Sequence, residues 1–268
     1  MKYIVNNRSL SYEAWGESVR GEDVSLLKDA VDLTSQTSWA ESGFSIEKLF
    51  SSTNYLAFAE ATKALLLSLW RSAGLDVPHN FLLDQYHTLT LRPGDHLAAI
   101  DKTRLLSTDD FPLGVTALEN RISEICQVPV VARNPYDGQT IFHFRVVRPN
   151  STDNNPLHRD VWLEDFDNCI NLYIPIAGSN EHSSLIILPG SHHWTESRFE
   201  RTKDGAVING VKFNVPAVTS IDGDYKIVRP DPGKNELLIF SPYLIHGGSI
   251  NLNTDKTRIS IEIRLWRK

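Results

Sequence analysis

The segment Leu157-His158-Arg159-Asp160-Val161-Trp162 sets an imidazole and a carboxylate two residues apart. Extended backbone turns residues i and i+2 to the same face, so both side chains can reach one ion. A third ligand from a distant strand would complete one face of an octahedron and leave the other positions open, the two-His-one-carboxylate pattern of non-heme Fe(II) oxygenases. His246 fits that place, because it follows the apolar run Leu237-Leu238-Ile239-Phe240 and precedes Gly247-Gly248. A chain with nine histidines yields a bare His-x-Asp easily by chance. The setting carries the argument: both histidines fall at strand ends, where pockets form.

Beyond His246, Arg258-Ile259-Ser260 opens a run in which Arg258, Ser260, Glu262 and Arg264 share one face and Ile259, Ile261, Ile263 and Leu265 the other. A guanidinium and a hydroxyl two residues apart on a strand can hold a carboxylate, the first by a charge-assisted fork and the second by one further bond. The distal carboxylate of 2-oxoglutarate suits such a pair. The same pattern also describes an exposed polar strand face. A second alternating run, Ile141 to Val147, sets His143 and Arg145 opposite Phe142, Phe144 and Val146. That polar face either points into a barrel mouth and meets a polar or anionic substrate, or it is solvated.

The elements that must position these residues differ along the chain. Early on, Asn54 can cap a helix whose Leu56, Leu66, Leu69 and Trp70 fall on one face, with Gly74 and Pro78 as stop signals. A second helix is predicted from Leu113 to Cys126, with Leu118, Ile122 and Ile125 as its apolar stripe. After Pro129 the texture becomes short apolar or alternating runs: Ile141 to Val147, Cys169 to Ile176, Leu185 to Leu188, Leu237 to Phe240 and Arg258 to Trp266. Strands without helical periods between them favour an antiparallel sandwich or barrel. The polar stretch from Asn150 to Asn155 is expected to be a loop.

Composition narrows the partners. At 41% hydrophobic over 268 residues the chain can bury a substantial core, and its net charge of -6 comes without a basic run for nucleic acid or an anionic membrane. The first residues turn polar too soon for a signal peptide, and the apolar stretch from Ala64 to Trp70 is too short to span a bilayer. A cytoplasmic protein with Cys126 and Cys169 reduced is expected.

Taken in order, Leu157-His158-Arg159-Asp160, Leu188-Pro189-Gly190-Ser191-His192, Phe240-Ser241-Pro242-Tyr243-Leu244-Ile245-His246-Gly247-Gly248 and Arg258 make the sequence from about Phe142 to Trp266 resemble the phytanoyl-CoA dioxygenase family of Fe(II)/2-oxoglutarate oxygenases. The resemblance implies an α+β chain with a double-stranded β-helix, or jelly roll, as its core. It implies one domain over 1–268, with residues 1–128 mostly helical and lid-forming and 129–268 the catalytic core. Iron would be held by His158, Asp160 and His246, and 2-oxoglutarate by Arg258 with Ser260, Asn171 and Tyr173 lining its pocket. His192 and His193, in a turn of structural kind, would not be ligands. The implied reaction is oxidation with O2, by default hydroxylation, and the polar face of His143 and Arg145, the candidate substrate contacts, adds the expectation of a small polar or anionic metabolite. Asp160 argues against halogenation, which needs that ligand position free. The rival reading is a non-catalytic jelly-roll module for carbohydrate, with the His and Asp incidental or part of a calcium site.

Overall fold

A computed structural model describes residues 1–90, 92–151, 155–247 and 250–268. Gly248 and residues 152–154 of the expected polar loop lie outside the described residues. The chain opens with five short strands, β1 (Lys2–Val5), β2 (Arg8–Ser11), β3 (Ala14–Trp15), β4 (Ser18–Arg20) and β5 (Phe44–Lys48). Helices α1 (Ser52–Ser72) and α2 (Pro93–Thr103), strand β6 (Leu106–Ser107) and helix α3 (Val115–Cys126) follow. The remainder is β7 (Val130–Val131), β8 (Ile141–Val147), β9 (Cys169–Ala177), β10 (Ile186–Ile187), β11 (Phe199–Thr202), β12 (Ala206–Ile208) and β13 (Val211–Phe213). It closes with β14 (Val218–Ile221), β15 (Glu236–Phe240), β16 (His246–Gly247) and β17 (Arg258–Arg267).

Two antiparallel layers make the jelly roll. The larger runs β5-β15-β9-β17-β8-β6, with β7 also paired to β17. The smaller is built from short pairings: His158 bridges His246, Ile187 pairs with His246, and Ile187 bridges Val228. Strand β17 decides which face is which. Its Ile259, Ile261, Ile263 and Leu265 join one apolar cluster with Phe58, Leu66 and Trp70 of α1 and Leu118 and Ile122 of α3. Each large side chain buried this way contributes about 1.5–3 kcal/mol. The opposite face of β17 therefore turns into the roll, and Arg258 and Ser260 are buried on it at 1% and 0% exposure. A solvated polar face is excluded for these two residues.

The N-terminal region departs from the helical expectation. Helices occupy three segments between Ser52 and Cys126, but the first 48 residues hold five strands. Strand β5 extends the large sheet beside β15, β4 pairs with β11, and β3 pairs with β12. Strands this short have no readable period, and their partners lie far along the chain. The cap of α1 is Ser51, whose hydroxyl accepts the Asn54 N–H, rather than Asn54 itself. Leu56 is exposed, and the buried stripe is Phe58, Thr62, Leu66 and Trp70, a four-residue step that one helix face requires. In α3 the buried stripe is Leu118, Ile122 and Cys126. Cys126 and Cys169 are both buried and unpaired. Among the described residues no helix is long and apolar enough to cross a membrane.

Candidate metal centre and co-substrate pocket

The His-x-Asp segment enters the small layer at His158, whose N–H and C=O both pair with His246 at 2.9 Å. Asp160 then opens a 3-10 turn, Asp160–Trp162, with its own N–H bonded to the Pro242 carbonyl. These backbone bonds bring both ligand segments together although they are far apart in sequence. Gly247 is required beside them. Its φ is +123°, and a Cβ there would strike the Pro156 carbonyl and lie 3.2 Å from His158 Nδ1.

Both imidazoles have a fixed tautomer. His158 Nδ1 lies 2.8 Å from the Pro156 carbonyl and His246 Nδ1 2.9 Å from the Leu244 carbonyl. A carbonyl only accepts, so each Nδ1 carries the proton and each Nε2 presents a lone pair. The Nε2 atoms lie 3.2 Å and 3.7 Å from Asp160 Oδ1. Metal–ligand bonds of about 2.0–2.2 Å put neighbouring ligand atoms about 3 Å apart, so the donor set fits one ion with little movement. These three residues form the cluster of candidate ligands found among the described residues. Burial, reinforced by His158, pushes His246 down to about 4, so its ring is neutral and available near neutral pH. Burial alone would raise Asp160, but Arg264 and the two histidines hold it well below the usual carboxylate range.

Asp160 Oδ2 is occupied differently. It accepts from Arg264 Nε at 3.0 Å, from Arg264 Nη2 at 2.6 Å and from Asn171 Nδ2 at 3.0 Å. Asn171, expected to line the co-substrate pocket, does border the cavity and also orients this carboxylate. Arg159, between the two ligands, points the other way. It is fully buried, donates to Glu196 Oε1 at 2.6 Å and to the Ser191 and Trp194 carbonyls, and lies over the Phe199 ring. Ser191 also accepts the Ile245 N–H through its hydroxyl at 2.8 Å. The Pro-Gly-Ser-His block thus ties both ligand segments together. His192 Nε2 is 2.8 Å from the Ala40 carbonyl, a structural bond, and neither His192 nor His193 belongs to the ligand cluster.

A cavity of about 650 Å³, measured out to its mouth, joins His158, Asp160 and His246 to Arg145, Asn171, Arg258, Glu262 and Arg264. Arg258 Nε and Nη1 and Ser260 Oγ are buried without a hydrogen-bond partner among the described residues. Leaving such donors unmatched is costly, and an incoming carboxylate would satisfy them. Tyr173 lies beneath Arg258, 5.6 Å from ring centroid to guanidinium, and its hydroxyl bonds to Ser179 Oγ at 2.7 Å. Tyr173 and Ser260 are not among the residues bordering the cavity, and neither is His143. Its Nδ1 accepts the Leu105 N–H at 2.9 Å, and burial pushes its pKa down to about 4.

The sequence reading missed Glu262 as a cavity residue, Arg264 as the partner of Asp160, and the Arg159–Glu196 pair. The alternation of β17 put Glu262 and Arg264 on the right face, but only strand register shows what each meets.

Known proteins share the fold. The non-heme monooxygenase ThoJ shares the fold at a TM-score of 0.50, with 14% identity over 88% of this chain and 77% of that one. EctD from S. alaskensis, solved with 2-oxoglutarate and 5-hydroxyectoine, aligns over 95% of this chain and 84% of its own at 13% identity and a TM-score of 0.49. The non-heme alpha ketoglutarate dependent carbocyclase SnoK from nogalamycin biosynthesis aligns over 92% and 87% at 13% identity and 0.47. A search of curated proteins by sequence finds no match. The model of the phytanoyl-CoA dioxygenase (PhyH) family matches residues 94–260, from within α2 into β17 and across both ligand segments. On that match the chain belongs to the phytanoyl-CoA dioxygenase family and is an Fe(II)- and 2-oxoglutarate-dependent dioxygenase.

Proposed function

We propose that His158, Asp160 and His246 hold the iron, that Arg258 with Ser260 holds the distal carboxylate of 2-oxoglutarate above Tyr173, and that the reaction hydroxylates a small polar or anionic metabolite. The observation that carries this is the unmatched donor set of Arg258 and Ser260, buried inside the roll that also holds the three converging ligands. Iron held by His158, Asp160 and His246, with 2-oxoglutarate held by Arg258 and Ser260, would supply the oxidising chemistry, in which O2 converts the co-substrate to succinate and CO2 and oxygenates a substrate C–H bond.

The chain's own groups do the positioning. The backbone carbonyls of Pro156 and Leu244 hold the protons on Nδ1, so neither imidazole rotates its lone pair away from the metal side. Arg264 and Asn171 occupy Asp160 Oδ2, which leaves Oδ1 as the ligand atom. Arg258 would hold the far end of the co-substrate in the cavity that the three candidate ligands also border. Helix α2 borders a groove beside the cavity, which supports a lid role for that part of the chain. The reading has a small molecule and O2 as partners, without nucleic acid or membrane, in the cytoplasm. The net charge of -6 and two buried, unpaired thiols support it.

Arg258→Lys tests the co-substrate assignment. Lysine keeps the charge but not the planar fork, and losing a charge-assisted bond costs about 1.5–3 kcal/mol, or roughly ten- to a hundred-fold in affinity. Titrating 2-oxoglutarate and Fe(II) separately should show weaker 2-oxoglutarate binding with Fe(II) binding unchanged. Wild-type affinity for 2-oxoglutarate would move the carboxylate site elsewhere.

A further inference from the structure

Arg145 on β8 and Glu262 on β17 are diagonal neighbours across the strand pair, and neither belongs to the iron or co-substrate set. Ser260 and Glu262 on β17 pair with Arg145 and His143 on β8. Arg145 Nε lies 3.5 Å from Glu262 Oε1 and 3.4 Å from Oε2, a long contact through the inner nitrogen alone. The outer Nη edge of the guanidinium, the part shaped to grip a carboxylate with two parallel bonds, is not used in it. The two side chains keep 27% and 26% of their surface exposed, and both border the cavity. Burial alone would raise Glu262, but Arg145, Arg258 and Arg264 hold its carboxyl below the ordinary range, so it remains an acceptor at neutral pH.

Charge decides what the remaining space accepts. The cavity wall carries Arg145, Arg258 and Arg264 against Asp160 and Glu262. With Fe(II) and the 2-oxoglutarate dianion loaded, metal and co-substrate cancel and one positive charge on the wall stays unmatched. The approach has the same sign. Among the described residues β8 pairs on that side with β6 only at Ile141 and Phe142, which leaves its later residues at a sheet edge with no described strand beside them. A groove along that edge runs between α2 and the β12–β13 hairpin and meets the cavity at Arg145 and Asn155. Among the described residues its lining includes the cations Arg145 and Lys212 and no carboxylate, in a protein of net charge -6. A cationic cleft on an acidic protein draws small anions and repels cations.

We propose that the substrate is a small monoanionic carboxylic acid that also carries a hydroxyl donor, its carboxylate gripped by the Nη edge of Arg145 and its hydroxyl bonded to Glu262. This rests on the iron and co-substrate assignment above. Arg145 and Glu262 then act as a two-point gauge that turns one C–H bond toward the metal, and Lys212 at the groove mouth steers the anion inward.

The test uses the anaerobic protein with Fe(II) and saturating 2-oxoglutarate, reading the visible charge-transfer band of the keto acid complex. The probes are 3-hydroxybutyrate (anion and donor), butyrate (anion only) and butan-2-ol (donor only). The expected result is a band shift that saturates with 3-hydroxybutyrate at the lowest concentration, with butyrate at a higher one, and not with the alcohol. Arg145→Gln should weaken both acids roughly ten-fold or more. Glu262→Gln should bring 3-hydroxybutyrate to the level of butyrate. The probe-free band of each variant checks that iron and 2-oxoglutarate are loaded. Lys212→Glu, at an exposed position, supplies a variant without risk to the core and should weaken the acids alone. An alcohol response equal to that of the acids, acid binding indifferent to Arg145→Gln and Lys212→Glu, or a band that ignores all three probes would overturn the proposal. A band that never forms in wild type would overturn the iron and co-substrate assignment, and this proposal with it.

Discussion

Three hydrogen bonds converge on Asp160 Oδ2, two from Arg264 and one from Asn171, while Oδ1 faces both imidazoles. A carboxylate held in that way binds a metal through one oxygen and leaves coordination positions for a keto acid and O2. Removing the guanidinium frees the second oxygen and weakens the fixed orientation. Arg264→Gln should lower Fe(II) affinity about ten-fold, in the range typical for partners behind a metal ligand, and metal titration reads it directly. Unchanged affinity would make Arg264 a bystander. The candidate ligands were readable because a two-residue step on extended backbone turns His158 and Asp160 to one face and the strand-end setting picks out His246. Arg264 and Glu262 were readable only as polar members of an alternating strand. What Arg264 meets is set by pairing across 104 residues, which spacing within one strand does not encode.

At the scale of elements, the proposed metal centre depends on short pieces: a two-residue strand at His246, a bridge at His158 and a single turn at Asp160. Pieces so short do not hold themselves. Arg159 and Glu196 anchor one ligand segment, and the Ser191 hydroxyl anchors the other at Ile245. Glu196→Gln leaves the buried Arg159 guanidinium without its counter-charge, and breaking a buried pair from one side costs about 3–5 kcal/mol. Urea unfolding should show a loss of that order, with iron affinity falling alongside. A variant as stable as wild type would mean that Arg159 is held by the Ser191 and Trp194 carbonyls alone. The family resemblance implied a turn for the Pro-Gly-Ser-His block but not its task, since that task is a contact between segments. The same limit explains the first 48 residues. Ser18–Arg20 and Phe44–Lys48 become strands because β11 and β15 offer open edges, and no local periodicity announces it. By contrast β8, β9, β15 and β17 are long enough for apolar alternation or apolar runs to declare them.

For the whole molecule, burial of imidazoles makes stability depend on pH. Burial pushes His143 and His192 from 6.5 down to about 4. Between those two values the unfolded chain binds more protons than the folded one, so stability rises with pH and is lost as pH falls through that window. The metal-free protein should therefore show a urea midpoint that drops steadily from pH 6.5 toward 4, with a smaller drop in His192→Gln. A flat midpoint across the window would mean that these rings reach solvent. The jelly roll was anticipated from strand texture and family resemblance, whereas its polar interior needed the two layers closed on each other. The central claim is that this interior holds iron on His158, Asp160 and His246 and 2-oxoglutarate beside it. Its most direct measurement is an anaerobic Fe(II) titration in saturating 2-oxoglutarate, following the visible charge-transfer band in wild type and in His158→Ala, Asp160→Ala and His246→Ala. The account predicts a band that saturates at one iron per chain in wild type and is lost or strongly weakened in each variant. A wild-type band at wild-type iron affinity in any two of them would contradict it.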